Sequence, residues 1–222
     1  DWPIDYQDLE PFFSLNDSMM GVSGLGGDPA YPPIDNLMPP IPLQGVGELM
    51  GKGFNTLGWH WWPSYSAIIT RAKNGRAPCI NLGPCNTGCA QGAKSSVDIS
   101  YWPAAIKKGA NLKTRCRVRE VCVDASGLAS GVIYYDHLGI EHRQNAKIVI
   151  LACNGVGTPR LLLNSKSPQF PDGIANRSGM VGRNLMLHPL GYVEGQFSSD
   201  VPLNIGPQGC SIYSHEFYET DL

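Results

Sequence analysis

The sequence predicts an α/β (α+β) chain. Residues 98–110, DISYWPAAIKKGA, carry helix punctuation, and directly after them the apolar period changes to two, with strand candidates in succession. Further on, AKIVILACNGVGTPRLLLNS runs from an apolar stretch through a glycine-bearing turn into a second helix. Strands and helices thus alternate in the second half of the chain.

Composition sets the outer limits. With 42% hydrophobic and 16% charged residues, the chain can bury a core without a heavily charged surface. A formal net charge of −2 lacks the clustered basic excess that nucleic-acid binding needs. The longest apolar run, IVILAC, is too short to cross a bilayer as a helix, so no transmembrane segment is expected. The chain opens on Asp1-Trp2-Pro3 with no Met and no leader, and it closes on HEFYETDL with no cap signal. It is expected to be an internal piece of a longer protein.

Residues 1–75 are rich in Pro and Gly. Pro removes a backbone donor and fixes φ, so GVSGLGGDPAYPPIDNLMPPIPLQG cannot form a regular helix or a central strand. Helix candidates here are YQDLEPFFSLNDSMMG, interrupted by Pro11, and a stretch around Gly45–Gly53. GWHWWPSY gathers Trp59, His60, Trp61 and Trp62, either as core and interface packing or as the wall of a ligand pocket.

In the helix at 98–110, Asp98 and Ser100 are the candidate N-caps, Pro103 suits a first turn and Gly109 suits the end. The strands that follow are LKTRCRVREVCVD, SGVIYYD and AKIVILAC, separated by turns with a Gly suited to positive φ. Alternation of Cys116 and Val118 with Arg115, Arg117 and Arg119 leaves one face of the first strand wet. The last strand is apolar on both faces, as a central strand would be. Thr158 followed by Pro159 reads as a hydroxyl cap and the first helical position. Such a strand–turn–helix leaves backbone N–H groups free for an anion or a polar cofactor edge. NGVG lacks the spacing of the dinucleotide fingerprint. Beyond SGMVGRNLMLHP, the stretch from Gly191 to Tyr218 reads as β with turns.

Cys79, Cys85 and Cys89 follow a C-x5-C-x3-C spacing. Zinc sites usually show paired C-x2-C units and four ligands, and a disulfide would leave one thiol over. Iron–sulfur clusters sit on glycine-bearing loops, because backbone N–H groups must approach the sulfides. NLGPCNTGC has that character, and three thiolates suit a cluster lacking one iron. Packing, metal and cluster all stay open on spacing alone. Cys116, Cys122 and Cys153 lie in strand patterns and read as small apolar residues.

The blocks DWPIDYQDLEPFF, GVSG, GRAPC, CNTGCAQGAKSS, YWPAAIKKGA, GVIYYD, ILACNGVGTPRLLLNS and SGMVGRNLMLHP occur in this order. Together they resemble the glucose-methanol-choline (GMC) flavoprotein oxidoreductases, in particular the bacterial membrane-associated sugar and polyol dehydrogenases of gluconate or glucose type. The resemblance covers nearly the whole chain. It implies FAD as cofactor, hydride transfer from a CH–OH group, and an alcohol, sugar or polyol as substrate. It also implies part of an FAD-binding doubly wound fold with a β-rich insertion and the start of a substrate domain. Residues 1–75 would be a covering segment, 76–190 part of the FAD domain including the cysteine loop, and 191–222 the opening β segment of the substrate domain. The glycine-rich loop and the catalytic His of the family are expected outside this chain, which therefore has no catalytic residue of its own; His215 comes too early. Alone, the chain is expected to be inactive.

By the same resemblance, Val118 is the residue whose backbone touches adenine. Cys153 and Asn154 stand in the turn against the adenosine part of FAD, replacing smaller residues, and Asn suits a left-handed position there. Thr158 matches the Ser/Thr before the signature Pro. In NLMLHP, Met186 and Leu187 depart from the family pattern, and His188 is read as structural. Some relatives carry a 3Fe–4S cluster on cysteines of the C-x5-C-x3-C spacing, which makes Cys79, Cys85 and Cys89 its candidate ligands. A haem or quinone acceptor subunit and a periplasmic or membrane-associated setting are implied with it. Two readings compete with this one: a non-enzymatic iron–sulfur or metal-binding module, and a β-rich interaction domain.

Overall fold

In the computed structural model, which describes residues 3–201 and 211–218, helices and strands fall into two units. One comprises Asp1–Ala110 with Gly195–Leu222, the other Asn111–Glu194.

The first unit opens with helix α1 (Tyr6–Met20). It forms despite Pro11 because its start is strongly specified. The Asp8 N–H donates to Asp5 Oδ1 and the Asp5 N–H donates to Asp8 Oδ2, both at 3.1 Å. Gly21, at φ +76°, closes the helix. Helix α2 (Gln44–Leu57) ends the same way at Gly58, φ +70°. Between them the Pro/Gly-rich chain forms no regular element and is tied down by isolated backbone bonds. Ser23 and Ser66 exchange a pair at 2.8 and 2.9 Å, and the Ile69 N–H donates to Ala93 O at 3.0 Å. Ser23, Ile69 and Ala93 are fully buried and form the centre of this unit. A two-residue strand β1 (Trp62–Pro63) pairs antiparallel with its distant partner at Ile212–Tyr213.

The helix expected at 98–110 is two short ones, α3 (Val97–Ser100) and α4 (Trp102–Lys107). Ser96, not Asp98 or Ser100, is the cap residue of the first. Pro103 has no N–H to donate to Ile99 O, so the ladder breaks at Tyr101. Gly109 stands just past α4 at φ +97°.

The second unit is an antiparallel meander of β2 (Arg117–Val123), β3 (Ala129–Tyr135) and β4 (Glu141–Asn145), followed by helix α5 (Asn154–Asn164). Both hairpin turns are built around an aspartate. Asp124 Oδ1 accepts from the N–H groups of Ser126 and Leu128, and Asp136 Oδ1 from those of Leu138 and Ile140. Gly127 and Gly139 take the positive φ that each turn needs. Gly131, at φ +151°, lets β4 approach: a Cβ there would lie 2.2 Å from Gln144 O. Helix α5 packs on the β2 edge. Its Leu161 joins Val121 and Tyr134 as buried side chains, each contributing roughly 1.5–3 kcal/mol. At the same edge the Val121 N–H donates to Ser165 Oγ at 2.9 Å.

One expectation fails here. The third strand of the sheet is Glu141–Asn145, not AKIVILAC. The apolar run continues past β4 without strand pairing among the described residues, and Ile148 and Ile150 are 79% and 85% exposed. Apolar content makes a strand eligible for a sheet interior, but only a neighbouring strand supplies the ladder. The β character expected from Gly191 to Tyr218 is likewise confined to β5 (Ile212–Tyr213); residues 191–201 form no strand, and 202–210 lie outside the described residues.

Candidate functional site

The first strand of the meander and the start of α5 enclose a cavity of about 560 Å³. Val118 and Cys153 both line it, with Arg117, Tyr135, Gly157 and Arg160. Val118 pairs with Tyr134 and Glu120 with Ile133, so Arg119 is an extra residue in a β-bulge. The bulge re-aims the strand where Val118, 40% exposed, faces the cavity. Arg119 turns to carboxylates, at 2.7 Å from Glu141 and 3.0 Å from Glu120. Arg117 lies over the Tyr135 ring at 5.8 Å.

The turn that presents Cys153 is held by its neighbours. Asn154 takes the left-handed conformation, φ +63°, as its identity suggested. Its Oδ1 accepts from the Val156 and Gly157 N–H groups at 2.9 and 3.0 Å. Thr158 is not the helix cap. The helix begins at Asn154, five residues earlier than expected, and Thr158 Oγ1 accepts from the Cys153 N–H at 3.2 Å. Pro159 therefore lies inside the helix. The anion seat expected at this helix start is partly filled by the chain itself, since the Asn154 amide oxygen occupies two of the free donors. Of the four residues singled out for the cofactor, Val118 and Cys153 form cavity wall, while Asn154 and Thr158 shape the turn behind it.

Sequence reasoning missed Arg160 and Tyr135. Arg160 follows the signature Pro159 and lies a turn along α5 from Gly157, a helical spacing that could have placed it on the cavity side. Nothing in the sequence marks Tyr135, which reaches the cavity through the register of β3 against β2. Met186 and Leu187 are 87% and 80% exposed, and His188 is exposed.

In the other unit, Cys79, Cys85 and Cys89 line one small cavity of about 40 Å³. Among the described residues, no three His, Cys, Asp or Glu side chains converge so as to hold a metal ion, and these cysteines as arranged are not a ligand set. The loop nonetheless favours thiolate at one of them. Burial pushes the Cys89 thiol up, but the N–H groups of Lys94, Ala93, Gln91 and Gly92 outweigh it and hold the thiol below its ordinary value. The Asn81 N–H also donates to Cys79 Sγ at 3.4 Å. Arg76 fixes the far side of the loop by donating to Gly92 O and Ala93 O, both at 3.0 Å, and to Ser95 Oγ at 2.7 Å. Among the described residues no helix is long and apolar enough to cross a membrane.

The model of the GMC oxidoreductase family matches residues 47–190. The chain is 42% identical over 225 residues to a 2-methyl-1,2-propanediol dehydrogenase of Mycolicibacterium austroafricanum, covering all of this chain and 41% of that protein. It is 32% identical over 193 residues to the fructose dehydrogenase large subunit of Gluconobacter japonicus, covering 85% of this chain and 35% of the relative. With the paromamine 6'-oxidase of Streptomyces fradiae it shares 30% identity over 202 residues, 87% of this chain and 36% of that enzyme. The chain thus spans about two-fifths of the length of these relatives. FAD is the cofactor that the family implies. A family match over most of the chain, with relatives aligned along nearly its whole length, establishes that this chain belongs to the GMC oxidoreductases.

Proposed function

We propose that the protein to which this chain contributes is an FAD-dependent oxidoreductase that removes a hydride from the CH–OH group of an alcohol, sugar or polyol. The observation that carries this reading is the cavity shared by Val118 and Cys153, whose size suits the adenosine portion of FAD. FAD, when bound, supplies the hydride acceptor. The residues of this chain hold and orient it. Val118 offers main chain on the bulged strand, and the Cys153 turn keeps the opposite wall in place through Asn154 and Thr158. Arg117 and Arg160 at the wall offset the negative charge of the phosphates. No residue of this chain is assigned as the base that takes the hydroxyl proton.

The exposed apolar run after β4 supports a finer reading of the fold, in which it is a strand of a doubly wound FAD-binding sheet. Residues 1–75 then cover that domain, 76–190 are part of it, and 191–222 begin the substrate domain. The names of the relatives support small diols and sugars as substrates, and the term large subunit in one of them supports a partner subunit, which we read as an electron acceptor of haem or quinone type.

Replacing Cys153 with Trp tests the cavity. FAD affinity should fall at least about tenfold, the loss expected for blocking a well-packed contact of more than 1.4 kcal/mol, with the far-ultraviolet circular dichroism unchanged. Undiminished FAD retention in a folded variant would remove this cavity from the cofactor site.

A second reading concerns the cysteine loop. The N–H groups that hold the Cys89 thiol below its ordinary value, and the Asn81 N–H directed at Cys79 Sγ, support a 3Fe–4S cluster, around which the three thiols would have to draw together. Iron and sulfide analysis of protein purified without oxygen decides it.

A further inference from the structure

In the first unit a buried carboxylate holds a half-exposed imidazole. The Asp28 side chain is 1% exposed and the His60 side chain 32%. Asp28 Oδ1 lies 2.9 Å from His60 Nε2 and accepts from the Ala30 N–H at 3.0 Å. Oδ2 accepts from the Tyr213 hydroxyl at 3.2 Å. The Ala30 N–H can only donate, so Asp28 is an acceptor here, and His60 must place its Nε2–H toward it. In the neutral ring this leaves the lone pair on Nδ1, to which no hydrogen bond is made among the described residues. Tyr213 cannot reverse the arrangement. Its own burial first, then Tyr65 and Asp28, push its hydroxyl far up, so it stays a neutral donor.

The ring is also fixed through its main chain. The His60 N–H donates to Glu216 Oε2 at 2.7 Å, and Ser214 Oγ donates to His60 O at 2.6 Å. Its plane runs along Trp62, 25° from parallel with centroids 6.2 Å apart. Burying a carboxylate costs several kcal/mol unless it is fully partnered. A half-exposed imidazole held by a buried carboxylate, two main-chain bonds and a ring is more constrained than packing needs. A preoriented imidazole lone pair beside apolar ring faces is the chemistry that recognises a hydroxylated carbon skeleton: the nitrogen takes the O–H and the rings take the C–H faces.

We propose that His60, oriented by Asp28, is a hydroxyl-binding and specificity-determining residue for a substrate with more than one hydroxyl group, accepting at Nδ1 from a hydroxyl that is not oxidised. This rests on the reading that the protein oxidises alcohols. No bond to His60 forms or breaks; its part is positioning.

The test compares 1,2-propanediol with 1-propanol in the flavin-loaded full-length protein. In His60→Gln the KM for the diol should rise about tenfold, the loss of one well-oriented hydrogen bond, with kcat unchanged and the KM for 1-propanol unmoved. Asp28→Leu, which removes the acceptor that orients the ring, should behave alike. An equal rise for both alcohols, or for neither, overturns the proposal. A readout without turnover guards against variants that fail to fold and against a protein that oxidises neither alcohol. In ¹⁵N spectra of the wild type, His60 should be protonated at Nε2, and added 1,2-propanediol should shift its Nδ1 resonance while 1-propanol does not. If the ring is protonated at Nδ1, or the diol leaves it unmoved, the assignment is wrong even where alcohol oxidation is intact. Failure of both alcohols to reduce the flavin counts instead against the oxidoreductase reading, and the titration alone then judges His60.

Discussion

The two units satisfy their polar groups in opposite ways. In the turns of the meander and at the start of its helix, partners are near in sequence: Asp124 serves Ser126 and Leu128, Asp136 serves Leu138, Ile140 and His142, and Asn154 serves Val156 and Gly157. In the other unit they are remote. Asp28 meets His60 and Tyr213, 32 and 185 residues away, and Ser95 donates to Met20 O across 75 residues. Turns of the first kind assemble from a handful of residues. Contacts of the second kind exist only when the whole unit closes, so each depends on loop-closure entropy already overcome elsewhere. Irregular chain rich in Pro and Gly can be well ordered, but its order is cooperative.

Three changes should sharpen that contrast. The largest effect is expected at Gly131→Val in the meander. The added side chain meets Gln144 O inside contact distance, and the backbone is held at φ +151°. A destabilisation of about 3 kcal/mol or more is expected in urea unfolding, with β4 released from β3. A loss below 1 kcal/mol would mean that the two strands do not need this approach.

Next comes Arg76→Lys in the other unit. Lysine keeps the charge but loses the planar fork that reaches Gly92 O, Ala93 O and Ser95 Oγ together. About 1–3 kcal/mol should be lost, and because the bonds are long-range, thiol labelling of Cys79, Cys85 and Cys89 should accelerate together. Acceleration at one cysteine only would show that the loop is held piecemeal.

The smallest effect is a pH dependence in the local class. The hydrogen bond from His142 first, then those from Ile140 and Leu138, hold Asp136 below the usual carboxylate range. A carboxylate lowered on folding stabilises fully above its unfolded value of about 3.9 and loses that contribution as pH falls through the folded value. Asp136→Asn should therefore flatten the acid limb of a Tm-against-pH curve and leave its shape above pH 5 unchanged. An acid limb of unaltered slope would place the acid sensitivity elsewhere.

How far the sequence could be read follows the same division. The first hairpin was legible because alternation and a Gly at its turn specify it within a few residues, and the second turn was legible from its Gly, but the return strand β4, Glu141–Asn145, was not. Helix α1 was legible only as a helix interrupted by Pro11; the Asp5–Asp8 cap that carries it through lies in adjacent sequence but was not read. Within the candidate site, the left-handed Asn154 could be anticipated from its side chain, but the start of α5 could not. The Thr158–Pro159 pair imitates a cap, while Asn154 supplies the bonds that begin the helix. The break at Tyr101 was hidden because Pro103 fits the first turn of either one helix or a second. AKIVILAC misled for a different reason: its apolar residues report what the segment can bury, and pairing is a property of a neighbour.

By itself, the sequence determined the turn glycines, the alternation of the first two strands of the meander and membership of the GMC oxidoreductases, because each is written in residues close together or in motifs kept in order. Tertiary structure alone decided that Val118 and Cys153 share a cavity, that Arg160 and Tyr135 join them, and that Asp28 holds His60. Such meetings depend on strand register and loop closure between residues far apart, and neither leaves a local mark in the chain.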